Sequence, residues 1–198
     1  MRLYITAPSP FARKCRIVAR EKGLIGRIEE IAVDPYANAP ELLASNPVVQ
    51  VPTLIAEDGL PLNDSPVICE YLDSLGSGPR LLPADGPDRL RVRRLETLGA
   101  QALEMGVKLL LELRRPEAER SPSWIARWTE NMGRALDALE AARPDPDHLD
   151  IGVITAGVAV TWIGFRHPGF DLATGRPGLV ALQAALEARA SFADTRPV

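Results

Sequence analysis

Apolar and polar positions change period along the chain, and the changes mark its elements. Arg2–Thr6 alternates and predicts a short strand. Over 10–21, Phe11, Cys15, Val18 and Ala19 fall on one helical face, and Gly23 stands where a helix stops in the left-handed region. Arg27–Val33 reads as a second strand. Thr53–Ala56 and Leu60–Leu62 flank Glu57-Asp58-Gly59, a hairpin turn, and Ser65-Pro66 opens a helix running to Leu75. The order is βαβ, an irregular stretch, then ββα.

Residues 76–87 are dense in Gly and Pro and read as a linker. Everything beyond it carries helical spacing: Asp88–Arg114, Pro122–Ala142, Ile151–Phe165 and Pro177–Ala190. Within these, Met105, Leu109 and Leu113 form one stripe, and Trp124, Trp128 and Trp162 are expected to serve packing. The expected organisation is an α/β domain over 1–75 and an all-α domain over 88–198.

Composition narrows the function classes. Lys plus Arg is 23 and Asp plus Glu is 26, a formal charge of −3, without the basic excess of a nucleic-acid footprint. The uncharged run Ile151–Phe165 is shorter than the roughly 20 residues a spanning helix needs. The first residues lack the apolar core of a signal peptide, which leads us to expect a cytoplasmic protein without membrane association. The 2 cysteines, Cys15 and Cys69, match neither CxxC nor a metal knuckle, so no metal is expected and a reducing compartment suits them.

Three segments could carry chemistry. Ser9-Pro10 follows the first strand, with Ser as N-cap and Pro at the first helical position. The cap reading is reinforced by Ser121-Pro122, which opens a later helix the same way, but a hydroxyl beside free helical N–H groups is also where an anion is held. Asn63-Asp64-Ser65-Pro66 repeats the device: Ser65 could bind a carboxylate and Asp64 an ammonium, the two ends of an α-amino acid, or the pair could simply start a helix. In Asn46-Pro47-Val48-Val49-Gln50-Val51-Pro52-Thr53, Pro52 before a strand is a candidate cis proline that would leave the Val51 backbone open to a peptide-like ligand. An ordinary trans proline is the alternative.

In this order and spacing, SPFARKCR, NPVVQVPTL and NDSPVICEYL resemble the glutathione transferase superfamily, and the resemblance extends through LPADGPDRLRVRRLE and RPGLVALQAALEARASFADTRP to the chain's end. It implies a thioredoxin-like domain followed by a helical bundle, with glutathione as co-substrate and a small, hydrophobic electrophile as second substrate. By resemblance Ser9 is catalytic. Val51 and Pro52 meet the cysteinyl part of glutathione, Asp64 and Ser65 its γ-glutamyl end, and Gln50 its glycyl end. Arg13 and Lys14 match a frequent pair, and Arg13, four residues from Ser9, is taken as the ligand-facing one. Tyr4 is expected to pack inside its strand, and Cys15, on the apolar face, argues against a cysteine-type member. Asp150 keeps a helix N-cap, with Val153 where an acidic partner is common. Homodimers are usual in the family. A glutathione-dependent reductase, isomerase or peroxidase, or a non-catalytic interaction module, remain the alternatives.

Overall fold

The computed structural model describes residues 1–198. It divides into two compact units, Met1–Leu82 with Ala190–Val198, and Pro83–Arg189. Helical spacing predicts an all-α domain over 88–198. The structure instead gathers the last residues of the chain into the α/β unit, because Phe192 and Thr195 are buried there.

The first unit runs β1 (Arg2–Ile5), α1 (Pro10–Glu21), β2 (Glu29–Ala32), α2 (Pro40–Ser45), β3 (Thr53–Ile55), β4 (Pro61–Asn63) and α3 (Ser65–Leu75), and it is joined at the chain's end by α8 (Ala190–Ala193). The four strands form one sheet in the order β2-β1-β3-β4. β1 pairs parallel with β2, and β3 pairs antiparallel with both β1 and β4. Parallel pairing demands a crossover helix, which α1 supplies, whereas β3 and β4 need only the turn at Glu57–Gly59. Leu3, Ile17, Val18, Leu42, Leu54, Ile68 and Leu72 close the core of this unit. Gly23 takes φ +67° just past α1, the left-handed stop expected of it.

The second unit is all helical: α4 (Gly86–Leu113), α5 (Pro122–Ala142), α6 (Ile151–Arg166) and α7 (Pro177–Glu187). α6 is buried nearly throughout and packs closely against α4. At Gly152 a Cβ would stand 2.8 Å from Val92 O, so the closest approach of the two helices requires a residue without a side chain. The Asp150 carboxylate caps α6 by accepting the Val153 N–H at 2.8 Å, so the cap forms without an acidic partner at 153. Trp162 is buried as expected, whereas Trp124, expected to serve packing, is 49% exposed and stacks on Trp128. Leu113 is likewise exposed while Leu109 is buried, so the stripe on α4 splits between solvent and core. No helix is long and apolar enough to cross a membrane.

Candidate functional site

The sheet register gathers the three segments. Tyr4 pairs with Thr53, and Thr53 pairs with Asn63, so these residues lie in one row across β1, β3 and β4. The chain leaves that row toward Ser9 from β1, enters it from Val51 and Pro52 at β3, and leaves it for Asp64 and Ser65 from β4. Antiparallel pairing of β3 with its neighbours therefore brings all three segments to the same end of the sheet. Tyr4 itself is buried in its strand.

Ser9 is the N-cap of α1. Its Oγ accepts the Ala12 N–H at 3.2 Å, and its own N–H donates to Thr6 O at 3.1 Å. The residue is half-buried. A capping hydroxyl that accepts still has its own hydrogen to donate, so the cap and an anion-holding role are compatible rather than rival assignments. The parallel with Ser121 does not hold: the Ser121 side chain makes no capping bond to α5, and its N–H donates to the Glu112 carboxylate.

The Val51–Pro52 bond is cis. The loop before it is held from inside by Asn46, 1% exposed, a residue that sequence reading passed over. Asn46 Nδ2 donates to Gln50 O at 3.1 Å and to Thr53 Oγ1 at 2.9 Å, and Asn46 Oδ1 accepts the Val48 N–H at 3.1 Å. Thr53 Oγ1 in turn donates to Gln50 O at 2.8 Å. Gln50 thus spends its carbonyl inside the loop while the residue as a whole stays exposed. Val49 has φ +52°, a region sparsely populated by β-branched residues, and its N–H donates to Asn46 O at 2.9 Å. Such a conformation costs about 1–3 kcal/mol and persists only where the surroundings dictate it.

Asp64 precedes α3 with φ +68° and ψ 133°, and its carboxylate makes no capping bond to that helix. The helix starts one residue earlier than Ser65-Pro66 implies: Asp64 is the N-cap, Ser65 the first helical residue, buried. The exposed carboxylate of Asp64 and the first N–H groups of α3 therefore stay available to an outside group of mixed charge, as an α-amino acid is. Cys15 Sγ lies 3.9 Å from Ser65 O and 3.8 Å from Cys69 Sγ, binding α1 to α3 behind the site. Burial, and then the Cys69 thiol beside it, push the Cys15 thiol well above the usual range, so it is no nucleophile.

Arg13 departs from its expected role. It is 1% exposed, its Nη2 donates to Phe192 O at 3.0 Å, and its guanidinium lies over the Phe192 ring at 5.6 Å. A guanidinium so enclosed and turned to the chain's own end is not ligand-facing. Lys14 is equally buried. No cluster of three or more metal-ligating side chains occurs in the structure.

The chain is similar over its whole length to known proteins. A family model of the glutathione S-transferase N-terminal domain matches residues 8–75. The chain is 35% identical over 201 residues to the uncharacterized GST-like protein YibF of Escherichia coli (strain K12), covering 100% of this chain and 98% of that protein. A glutathione transferase family member from Pseudomonas fluorescens Pf-5, solved with bound glutathione, superposes with a TM-score of 0.95 at 31% identity, covering 100% of this chain and 98% of that one. A second structure of a glutathione transferase family member from Pseudomonas fluorescens Pf-5, with bound S-(propanoic acid)-glutathione, gives a TM-score of 0.91 at 30% identity, with 100% of both chains covered.

Proposed function

The chain belongs to the glutathione transferase superfamily, and from that premise we propose that it activates the thiol of glutathione for attack on a small electrophile, with Ser9 as the hydrogen-bond donor to the thiolate. The observation that carries this reading is the Ser9 hydroxyl, half-buried at the start of α1, accepting from Ala12 and keeping its hydrogen for a ligand.

The magnitudes suffice. A thiol of pKa about 8.5 is about 3% ionised at pH 7. Lowering that pKa by about two units needs about 2.7 kcal/mol of preference for the thiolate. A hydrogen bond to a charged acceptor contributes about 1.5–3 kcal/mol and a helix N-terminus about 0.3–1 kcal/mol, so Ser9 and α1 together reach the requirement. In this reading the Val51 backbone beside Pro52 pairs with the peptide part of glutathione, Asp64 takes its ammonium, Ser65 and the start of α3 take its carboxylate, and Gln50 stands toward its glycyl end. The sulfur forms a bond to the electrophilic carbon and its proton leaves to water. Either a leaving group departs with its electron pair, or the neighbouring carbon of an activated double bond takes up a proton. The propanoic acid conjugate held by the Pseudomonas fluorescens relative is a thioether of this kind, which favours conjugation over the reductase and peroxidase readings.

The reading includes a homodimer working in a reducing, glutathione-containing compartment, where Cys15 and Cys69 stay free thiols. Sedimentation at micromolar concentration tests the dimer. The reaction is tested by glutathione-dependent turnover of a panel of haloarenes, haloalkanes and α,β-unsaturated acids and carbonyls. Turnover that falls at least tenfold in Ser9→Ala supports the assignment, and wild-type turnover in that variant contradicts it.

A further inference from the structure

The end of the chain is bound along α1, the helix that carries Ser9. Two attachments are made, 8 residues apart on that helix, which is about 12 Å along its axis. Near its start, Arg13 donates to Phe192 O at 3.0 Å and lies over the Phe192 ring. At its last residue, the Glu21 carboxylate accepts the Ser191 hydroxyl. The segment is also braced internally: Thr195 Oγ1 donates to Ser191 O at 2.8 Å and to Phe192 O at 3.2 Å, and Phe192 and Thr195 are both almost wholly buried.

We propose that the C-terminal segment 190–195 is a positioning element of the glutathione site, in which Phe192 acts through Arg13 to hold the first turns of α1 and with them Ser9. This inference rests on the reading of Ser9 as thiolate donor. Its physical basis is that Ser9 controls a thiol only if its hydroxyl and the N–H groups behind it are held in place, and hydrogen bonds weaken steeply when their geometry is lost. Arg13 stands one helical turn past Ser9, so restraint at Arg13 is restraint on the cap. The carbonyl and ring that supply it come from a residue 179 positions away in sequence. The side chain expected to meet the ligand instead fastens the helix from behind.

The test is the pKa of the bound glutathione thiol, read from thiolate ultraviolet absorbance across a pH titration, in Phe192→Leu, Arg13→Met and Ser9→Ala, singly and with Phe192→Leu combined with Ser9→Ala. Phe192→Leu removes the ring beside the Arg13 guanidinium while keeping the backbone acceptor, an apolar side chain in the core and the Arg13 charge, and circular dichroism verifies that it folds. We expect it to raise the thiol pKa by about one unit, part of what one hydrogen bond to a charged acceptor supplies, and to add nothing in the Ser9→Ala background. A folded Phe192→Leu with lower thermal stability and an unchanged thiol pKa would overturn the proposal, as would a shift confined to Arg13→Met, which would assign the effect to charge. If Phe192→Leu fails to fold, Phe192→Met takes its place under the same criteria. Absence of any thiolate signal from glutathione in the wild-type protein would instead strike at the reading of Ser9 itself.

Discussion

Asn46 offers the sharpest prediction about how the site is built, because its side chain organises the loop that enters β3. A long bond from Asn63 Nδ2 reaches Asn46 Oδ1 at 3.4 Å, and three closer ones depend on the same side chain: to Gln50 O, to Thr53 Oγ1 and from the Val48 N–H. At about 1 kcal/mol each, Asn46→Ala should destabilise the protein by about 3 kcal/mol, measured as a shift in urea midpoint at constant slope. Asn46→Asp keeps the bond from Val48 but turns two donors into acceptors facing the Gln50 carbonyl and the Thr53 hydroxyl, and should cost at least as much at neutral pH. Thr53→Val removes the donor to Gln50 O at 2.8 Å and should cost about 1–2 kcal/mol. Because Asn46 and Thr53 share that carbonyl, the double variant should lose less than the sum, with a coupling of about 0.5 kcal/mol or more. Glutathione should also bind more weakly to Asn46→Ala, since the Val51 backbone would no longer be held. A loss below about 1 kcal/mol would show that these bonds do not hold the loop. A large loss with unchanged glutathione affinity would refute the link from loop to site.

Other parts of the structure make equally definite predictions. Lys22 Nζ and Asp73 Oδ1 lie 3.1 Å apart in the interior, with the Asp73 carboxylate also accepting the Leu81 and Leu82 N–H groups. Lys22→Met should therefore cost about 3–5 kcal/mol in denaturant titrations, because it leaves a buried carboxylate without its cation. Burial lowers the pKa of His167, against the bond it donates to Gly106 O, from the ordinary 6.5. The unfolded chain then binds the proton more readily than the folded one, so stability should fall as pH drops below about 6.5 and level off below the depressed folded value. A urea midpoint constant from pH 7.5 down to pH 5 would exclude this. Cys15 and Cys69 should resist an aromatic disulfide reagent in the native protein and react on unfolding, as expected of two enclosed thiols, that of Cys15 also raised in pKa by its burial.

The elements with strong periodicity were legible in the sequence. Pro122–Ala142 spans the same residues in both, and α4 and α6 differ only at their ends. Two short pieces were not. α2 has six residues, a single buried one in Leu42 and an Ala39 N-cap without a side-chain bond, so it leaves no period to detect. β2 begins later than Arg27–Val33 suggested because Ile25–Arg27 forms a 3-10 turn first. The local roles of Ser9 as a cap, Pro52 as a cis proline and Asp64 and Ser65 as a helix start were legible because such features have local signatures. Asn46 could not, since its importance lies in contacts that exist only once the loop has closed. Arg13 was misplaced for a related reason: helical spacing places it near Ser9, but the partner that claims its guanidinium comes from the far end of the chain.

In the proposed function, Ser9 and the start of α1 hold glutathione as a thiolate. The most direct test is a titration of wild-type protein with glutathione, followed by ultraviolet difference absorbance across pH and repeated with Ser9→Ala. We expect saturable binding with a thiol pKa about two units below that of a free thiol, most of that depression vanishing in the variant. Saturable binding with an unperturbed thiol, or an equal depression in Ser9→Ala, would contradict that role of Ser9.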